Sequence, residues 1–301
     1  MKIRYNINTC DHNPKDNEIM IHFTKVCPNN CPFCIDKVNV GVKNKKTDVN
    51  AIINSIVRFK DKVNYITISG GEPFIFMDDL DALVTWIKAN TNAKLNIITS
   101  VPDICFDEKE KFFTILDKCD NVQLSLQHYV QTWAAKIKNV EMDYHRDRNA
   151  FYKEILEHCG PDKILGSINI LKPYFEFQWD ILNTIKKFNQ LGFKNIKICE
   201  MFDADDIYVD IPKTLNMKVN SPFAWGCKTE IKNVDKLYKG TELEGFHFDG
   251  HLYMKRSCFL RSKLHKANIW DFIKMCTRWM FAKKYFFCVI HENGEVAPYW
   301  I

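Results

Sequence analysis

Six strand-like runs, with helix-like runs between them, organise the first two thirds of this chain, and that rhythm limits the folds open to it. Residues 18–24, 63–69, 94–99, 122–127, 164–171 and 195–200 are rich in β-branched and apolar side chains, as strands are. Between them apolar residues recur at helical spacing: Val49, Ile52, Ile53, Ile56 and Val57; Leu80, Leu83, Val84 and Ile87; Phe112, Phe113 and Leu116; residues 150–158; and Ile181, Leu182, Ile185 and Phe188. Thr47 and Asp48 offer N-caps for the first helix, and Gly192 a C-cap for the last. Such a series predicts a parallel α/β sheet covered by helices. Periodicity leaves both a doubly wound sheet and a partial (β/α)6 TIM-like barrel open. Residues 129–149 are charged and break the rhythm, so they read as an insertion.

Beyond about residue 210 the alternation stops. Asp249-Gly250 and Asn293-Gly294, each flanked by strand-forming residues, are hairpin signals. They predict a small α+β C-terminal extension over 213–301, following a core over 1–212. With 301 residues, 46% of them hydrophobic, the chain can bury a sizeable core. The first ten residues, MKIRYNINTC, lack the apolar stretch of an export signal. No apolar run is long enough to span a bilayer, because 269–290 is broken by Asp271, Lys274, Arg278, Lys283 and Lys284. That stretch reads as a packed helix running into a strand, and the expected location is the cytoplasm without membrane attachment. The net charge of +5 is too weak to imply nucleic acid. Between Lys255 and Lys284, however, nine basic residues face the single acid Asp271, a solvated helix face or a surface for an anionic partner or substrate.

Twelve cysteines are many for a chain of this kind and suggest metal or redox chemistry rather than a disulfide framework. Cys10, Cys105, Cys119, Cys159 and Cys199 fall at element ends or inside apolar runs and read as core residues. Three others stand together: Cys27-Pro28-Asn29-Asn30-Cys31-Pro32-Phe33-Cys34, in a loop directly after the first strand. Thiolates suit zinc or iron–sulfur clusters, and so short a loop can converge three sulfurs on one group. Ser69-Gly70-Gly71-Glu72-Pro73 directly follows the second strand. Two glycines let backbone approach a ligand, a carboxylate can accept hydrogen bonds from an ammonium, and proline stiffens the turn. In parallel α/β folds ligands gather at the carboxyl ends of strands, and both loops fall at that end.

Together, the Cys-x3-Cys-x2-Cys loop with an aromatic before its last cysteine and the Gly-Gly-Glu-Pro loop resemble the two signatures of the radical S-adenosylmethionine (radical SAM) superfamily. The resemblance covers roughly residues 18–200 in motif order and element rhythm. It implies an enzyme with a partial barrel core. Cys27, Cys31 and Cys34 would bind three irons of a [4Fe–4S] cluster, SAM the fourth iron, and Phe33 would pack near the adenine. Gly70, Gly71, Glu72 and Pro73 would contact the SAM amino group. Strand ends commonly supply further SAM contacts in that family, which suggests Ser125, Gln127, Ser167, Asn169 and Glu200. An external one-electron reductant of the flavodoxin or ferredoxin type would feed the cluster. Reductive cleavage of SAM would yield a 5′-deoxyadenosyl radical that abstracts hydrogen from the substrate.

Cys227, Cys258, Cys276 and Cys288 lie in the extension. The segments 246–258 and 288–296 look like hairpins of the auxiliary-cluster extensions (twitch and SPASM type) of this superfamily, which implies a second [4Fe–4S] cluster. The seven-cysteine SPASM pattern is absent, however, and Pro298-Tyr299 stands where that pattern often has Pro-Cys. In layout the chain resembles the branch of molybdenum-cofactor synthase and peptide maturases. A peptide and an anionic, nucleotide-like small molecule are both open as substrates. Two other classes compete with this reading. A thiol oxidoreductase would use Cys31-Pro32-Phe33-Cys34 but should start a helix there and leaves Cys27 without purpose. A zinc-binding module contacting nucleic acid would need a second cysteine knuckle.

Overall fold

The computed structural model describes residues 17–34, 47–141, 146–201, 206–217, 228–255 and 287–297. Six parallel strands form its centre: β1 (Glu18–His22), β2 (Tyr65–Ser69), β3 (Lys94–Thr99), β4 (Asn121–Ser125), β5 (Ile164–Ile170) and β6 (Asn195–Glu200). The helices between them are α1 (Val49–Val57), α2 (Met77–Asn90), α3 (Ile104–Asp107), α4 (Lys109–Lys118), α5 (Gln131–Lys138), α6 (Arg148–Cys159) and α7 (Gln178–Leu191). Asp48 caps α1 by accepting from the Ala51 amide, and Gly192 ends α7, as expected. The segment read as an insertion contains α5.

Strand alternation decides the architecture. Ile19, Ile21, Ile66, Ile68, Leu95, Ile97, Val122, Leu124, Ile196 and Ile198 are fully buried and join one core with helix residues such as Ile52, Leu83, Phe112 and Ile185. Each such side chain contributes about 1.5–3 kcal/mol of burial. The intervening strand residues point to the opposite face, and most of them are polar, with Met20, Ile98 and Leu165 as exceptions. There Thr67 Oγ1 donates to Glu18 Oε1 (2.9 Å) and Lys197 Nζ to Gln123 Oε1 (3.0 Å). Glu18, Thr67, Asn96, Gln123, Asn195 and Tyr253 line a single cavity on this face. Strands from opposite ends of the row can share a cavity only if the sheet curls around it. Helices on one face and a polar hollow on the other give a partial barrel, not a doubly wound sheet with two apolar faces.

Past residue 206 come a short helix α8 (Ile211–Thr214) and the strands β7 (Lys228–Glu230), β8 (His251–Lys255), β9 (Phe287–Ile290) and β10 (Val296–Ala297). They widen the same sheet at both edges, in the order β10-β9-β1-β2-β3-β4-β5-β6-β8-β7, and the sheet does not close. Asn293-Gly294 turns β9 into antiparallel β10, as expected. Asp249-Gly250 is not a hairpin turn, because β8 runs parallel to β6 and its antiparallel neighbour β7 is far away in sequence. Gly250 instead starts β8 hard against β6. Its φ is +135°, a Cβ would lie 2.0 Å from the Lys194 carbonyl oxygen, and the next amide, His251 N, donates to that oxygen at 2.6 Å. The basic run beyond Lys255 and the helix expected after 269 lie outside the described residues. No helix among the described residues is long and apolar enough to cross a membrane.

Replacing Gly250 with alanine forces both a backbone clash and a disfavoured φ. The expected loss is about 1–3 kcal/mol, read as a lower urea midpoint with an unchanged slope.

Candidate functional site

The carboxyl end of β1 is built by three loops bonded to one another. Past β1 the chain stays extended, and Phe23 N donates to Ser69 O at 2.8 Å. Gly71 N then donates to Thr24 O (2.6 Å) and Glu72 N to Val26 O (2.8 Å), so the glycine loop runs along the strand that leads into Cys27. This contact explains both glycines. A Cβ on Gly70 would sit 2.8 Å from Thr24 O, and one on Gly71 2.2 Å from Val26 O. The close approach is therefore made to another loop of the chain.

Glu72, 1% exposed, ties in the third loop. Its Oε1 accepts from Thr99 Oγ1 (2.7 Å) and Phe74 N (3.3 Å), its Oε2 from Ser100 N (2.7 Å) and Ser100 Oγ (2.6 Å). Four donors occupy the four lone-pair positions of a carboxylate. All four donors come from the chain itself, so the carboxylate joins the glycine loop to the end of β3. Burial pushes the Glu72 carboxyl above its ordinary range, while the hydrogen bonds from Ser100, Thr99 and Phe74 pull against it. Ser100 Oγ in turn accepts from Asn29 Nδ2 at 2.7 Å, which joins the end of β3 to the cysteine loop.

Cys27, Cys31 and Cys34 are half-buried and none is in a disulfide. Cys34 N donates to Cys31 O at 3.2 Å, closing a turn over Pro32 and Phe33, and Phe33 packs on the core. Burial pushes the Cys27 thiol up to about 12; the Asn29 amide opposes this, and Glu72, Cys31 and Cys34 add to it. Three sulfurs that repel one another's charge, in a loop fixed by backbone bonds, fit a cationic iron–sulfur core, which keeps thiolates deprotonated.

Lys138 was not among the residues expected from the sequence. At the end of α5 it is buried, its Nζ donates to Ser100 O (3.0 Å), and its carbonyl accepts from Asn30 N (2.9 Å). Burial lowers it to about 8, Arg148 helps, and Cys31, Glu72 and Cys27 hold it up. An ammonium thus stands beside the sulfurs, delivered by the segment read as an insertion.

Of the strand-end residues, Ser125 and Ser167 are register partners on the polar face. Ser167 Oγ lies 3.7 Å from Cys199 Sγ, and Asn169 pairs with Cys199 one step further on. Gln127 continues that face just past β4, with a left-handed φ of 67°; its buried Oε1 has no hydrogen-bond partner. A buried amide oxygen without a donor is costly and fits a site that receives one from a ligand. Glu200 shares the face of Ile196 and Ile198, and its Oε1 accepts from Ile211 N at 3.2 Å, holding the start of α8. Cys288 lies in β9 beside Ile19, fully buried in the core, its thiol pushed to about 12 by burial. Cys105, Cys119 and Cys199 are buried, as expected of core cysteines, and Cys159 is half-buried. Cys10, Cys227, Cys258 and Cys276 lie outside the described residues.

Gly71→Ala should separate the two loops and lower the iron bound after anaerobic reconstitution at least severalfold, while circular dichroism shows a folded chain. Lys138→Met should leave iron content unchanged and move the cluster's reduction potential to more negative values in an EPR-monitored titration, because a nearby positive charge favours the reduced form.

No curated protein resembles the chain closely enough to count as a match. Among solved structures it is similar to Streptococcus suis SuiB bound to the precursor peptide SuiA, at 18% identity and a TM-score of 0.58, over 94% of this chain and 59% of that one. Methylornithine synthase (PylB) gives 12% identity and 0.46 over 91% and 65%, and anSMEcpe with bound AdoMet 14% and 0.42 over 60% and 50%. The chain therefore spans less than two thirds of each of these proteins, and the likeness to SuiB shows the fold. The Radical SAM superfamily model matches residues 21–202, from β1 through both loops to the end of β6. Because that match covers more than half of its length, the chain belongs to the Radical SAM superfamily.

Proposed function

We propose that this enzyme carries one [4Fe–4S] cluster on Cys27, Cys31 and Cys34, binds SAM over the polar ends of β4 and β5, and abstracts hydrogen from a peptide. The observation that carries the cofactor reading is the bonded unit of cysteine loop, glycine loop and Ser100, organised around Glu72. With both cofactors bound, the chemistry supplied is one-electron cleavage of SAM to methionine and a 5′-deoxyadenosyl radical.

The residues of the chain bind and orient. The three thiolates hold the cluster, and the Lys138 ammonium offsets their charge. Phe33 offers an aromatic face to the adenine. Backbone groups of residues 70–73, held rigid by Pro73, take the SAM amino group. Gln127 Oε1 accepts from a SAM hydroxyl or amine, and Ser125, Ser167 and Asn169 offer further polar contacts. Glu200, occupied by Ile211 N, orients α8. A flavodoxin- or ferredoxin-type protein donates the electron. Residues 1–212 form the cofactor-binding part and 213–301 the substrate-side extension. Peptide chemistry is supported by the fold shared with SuiB along almost the whole chain, including strands past residue 212. A second cluster would depend on Cys227, Cys258 and Cys276, since Cys288 packs in the core.

Anaerobically reconstituted protein should contain about four irons per chain. With dithionite and SAM it should release 5′-deoxyadenosine, detected by liquid chromatography. The Cys27/Cys31/Cys34→Ala variant should lose nearly all of both; about four irons surviving in it would mean a second cluster. A small peptide encoded beside the gene should lose hydrogen mass in the complete reaction and none without SAM.

A further inference from the structure

Besides the cysteine loop, the described residues contain one cluster with metal-ligand chemistry: His22, His291 and Glu292. β9 lies parallel to β1 with Ile21 opposite Ile290, so the two histidines follow as neighbours at the strand ends. Their ring centroids are 5.8 Å apart. Alternation puts them on the side of Met20 and Val289, which pack together away from the main core, and hence on the polar face. The three residues are 4%, 9% and 2% exposed.

His22 Nδ1 lies 3.5 Å from Glu292 Oε2, and one ligand atom from each residue falls within 4.8 Å of the others. The Lys25 ammonium stands on the other carboxylate oxygen, Oε1, at 3.4 Å. His291 Nε2 and Glu292 Oε2 are buried and have no hydrogen-bond partner. Two unsatisfied polar atoms this close together are costly, and one cation would satisfy both.

We propose that His22, His291 and Glu292 bind a divalent transition-metal ion of the zinc or ferrous class, separate from the iron–sulfur cluster. Two imidazoles and one carboxylate are a donor set for such ions and leave coordination positions open. At bond lengths of about 2.0–2.1 Å, tetrahedral ligand atoms lie roughly 3.4 Å apart. The His22–Glu292 pair already has that spacing, and the rest need to close by about 1 Å, within reach of side-chain rotation. His22 sits at the carboxyl end of β1, the end from which the cysteine loop departs, so the ion would lie beside the reaction chamber on its polar wall.

Cobalt(II) is the probe, titrated into the full chain carrying Cys27/Cys31/Cys34→Ala. The expected result is about one equivalent bound, with visible d–d bands and no thiolate charge-transfer band in the near ultraviolet. His291→Gln and Glu292→Gln should each weaken that binding at least about tenfold. Zinc counting on the reconstituted wild-type enzyme after dialysis against zinc and then metal-free buffer reads the same site without the cysteine substitutions, and about one zinc is expected. No cobalt and no zinc bound, or binding that survives both substitutions, overturns the assignment. Iron content and 5′-deoxyadenosine release are read separately and are expected to stand whichever way the metal titration falls.

Discussion

One buried carboxylate holds the reactive end of this molecule together. Glu72 gathers donors from the last residue of β3, from Ser100 just after it and from its own turn, while its amide bonds to the approach of the cysteine loop. A buried anion is tolerable only when its lone pairs are filled, and here all are. Three loops from three adjacent strands are thereby fixed to one another before any cofactor arrives. The glycines belong to the same device, since a side chain at either position would collide with the backbone ahead of Cys27.

The second constraint is the one-sided core. The central strands give most of their isoleucines, leucines and valines to the helices and turn most of their polar residues to the hollow. The Glu18–Thr67 and Gln123–Lys197 bonds line the lower part with satisfied groups. Higher up, Gln127 and the His22–His291–Glu292 group carry acceptors or ligands that the chain does not fully use. The floor is thus structural, and chemistry is confined to the rim.

Much of this was legible from residue order. The six-strand rhythm, both signature loops and their common end of the sheet followed from spacing alone. Periodicity left barrel and doubly wound sheet open, and only the family resemblance implied the barrel; in the structure, Thr67 and Gln123 mark the polar second face that a doubly wound sheet would not have. Other features were not. Asp249-Gly250 signals a chain reversal or a left-handed residue, but not which strand the next segment joins. Gly-Gly-Glu-Pro shows that a carboxylate sits in a loop without showing which donors surround it. Lys138 was hidden because its segment breaks the strand–helix beat, and charge in an irregular stretch looks solvated. The parity of Cys288 with Ile290 marks it as a core thiol, a sign the hairpin resemblance had overshadowed.

The parallel pairing of β1 with β9 carries a consequence for biogenesis. Glu18 meets Phe287 across nearly the whole polypeptide, so during translation the first strand waits with one bare edge until its late-made neighbour leaves the ribosome. The wall beside the cysteine loop is finished only when β9 arrives. Until β9 is in place, the chamber beside the cysteine loop lacks one wall and lies open to water.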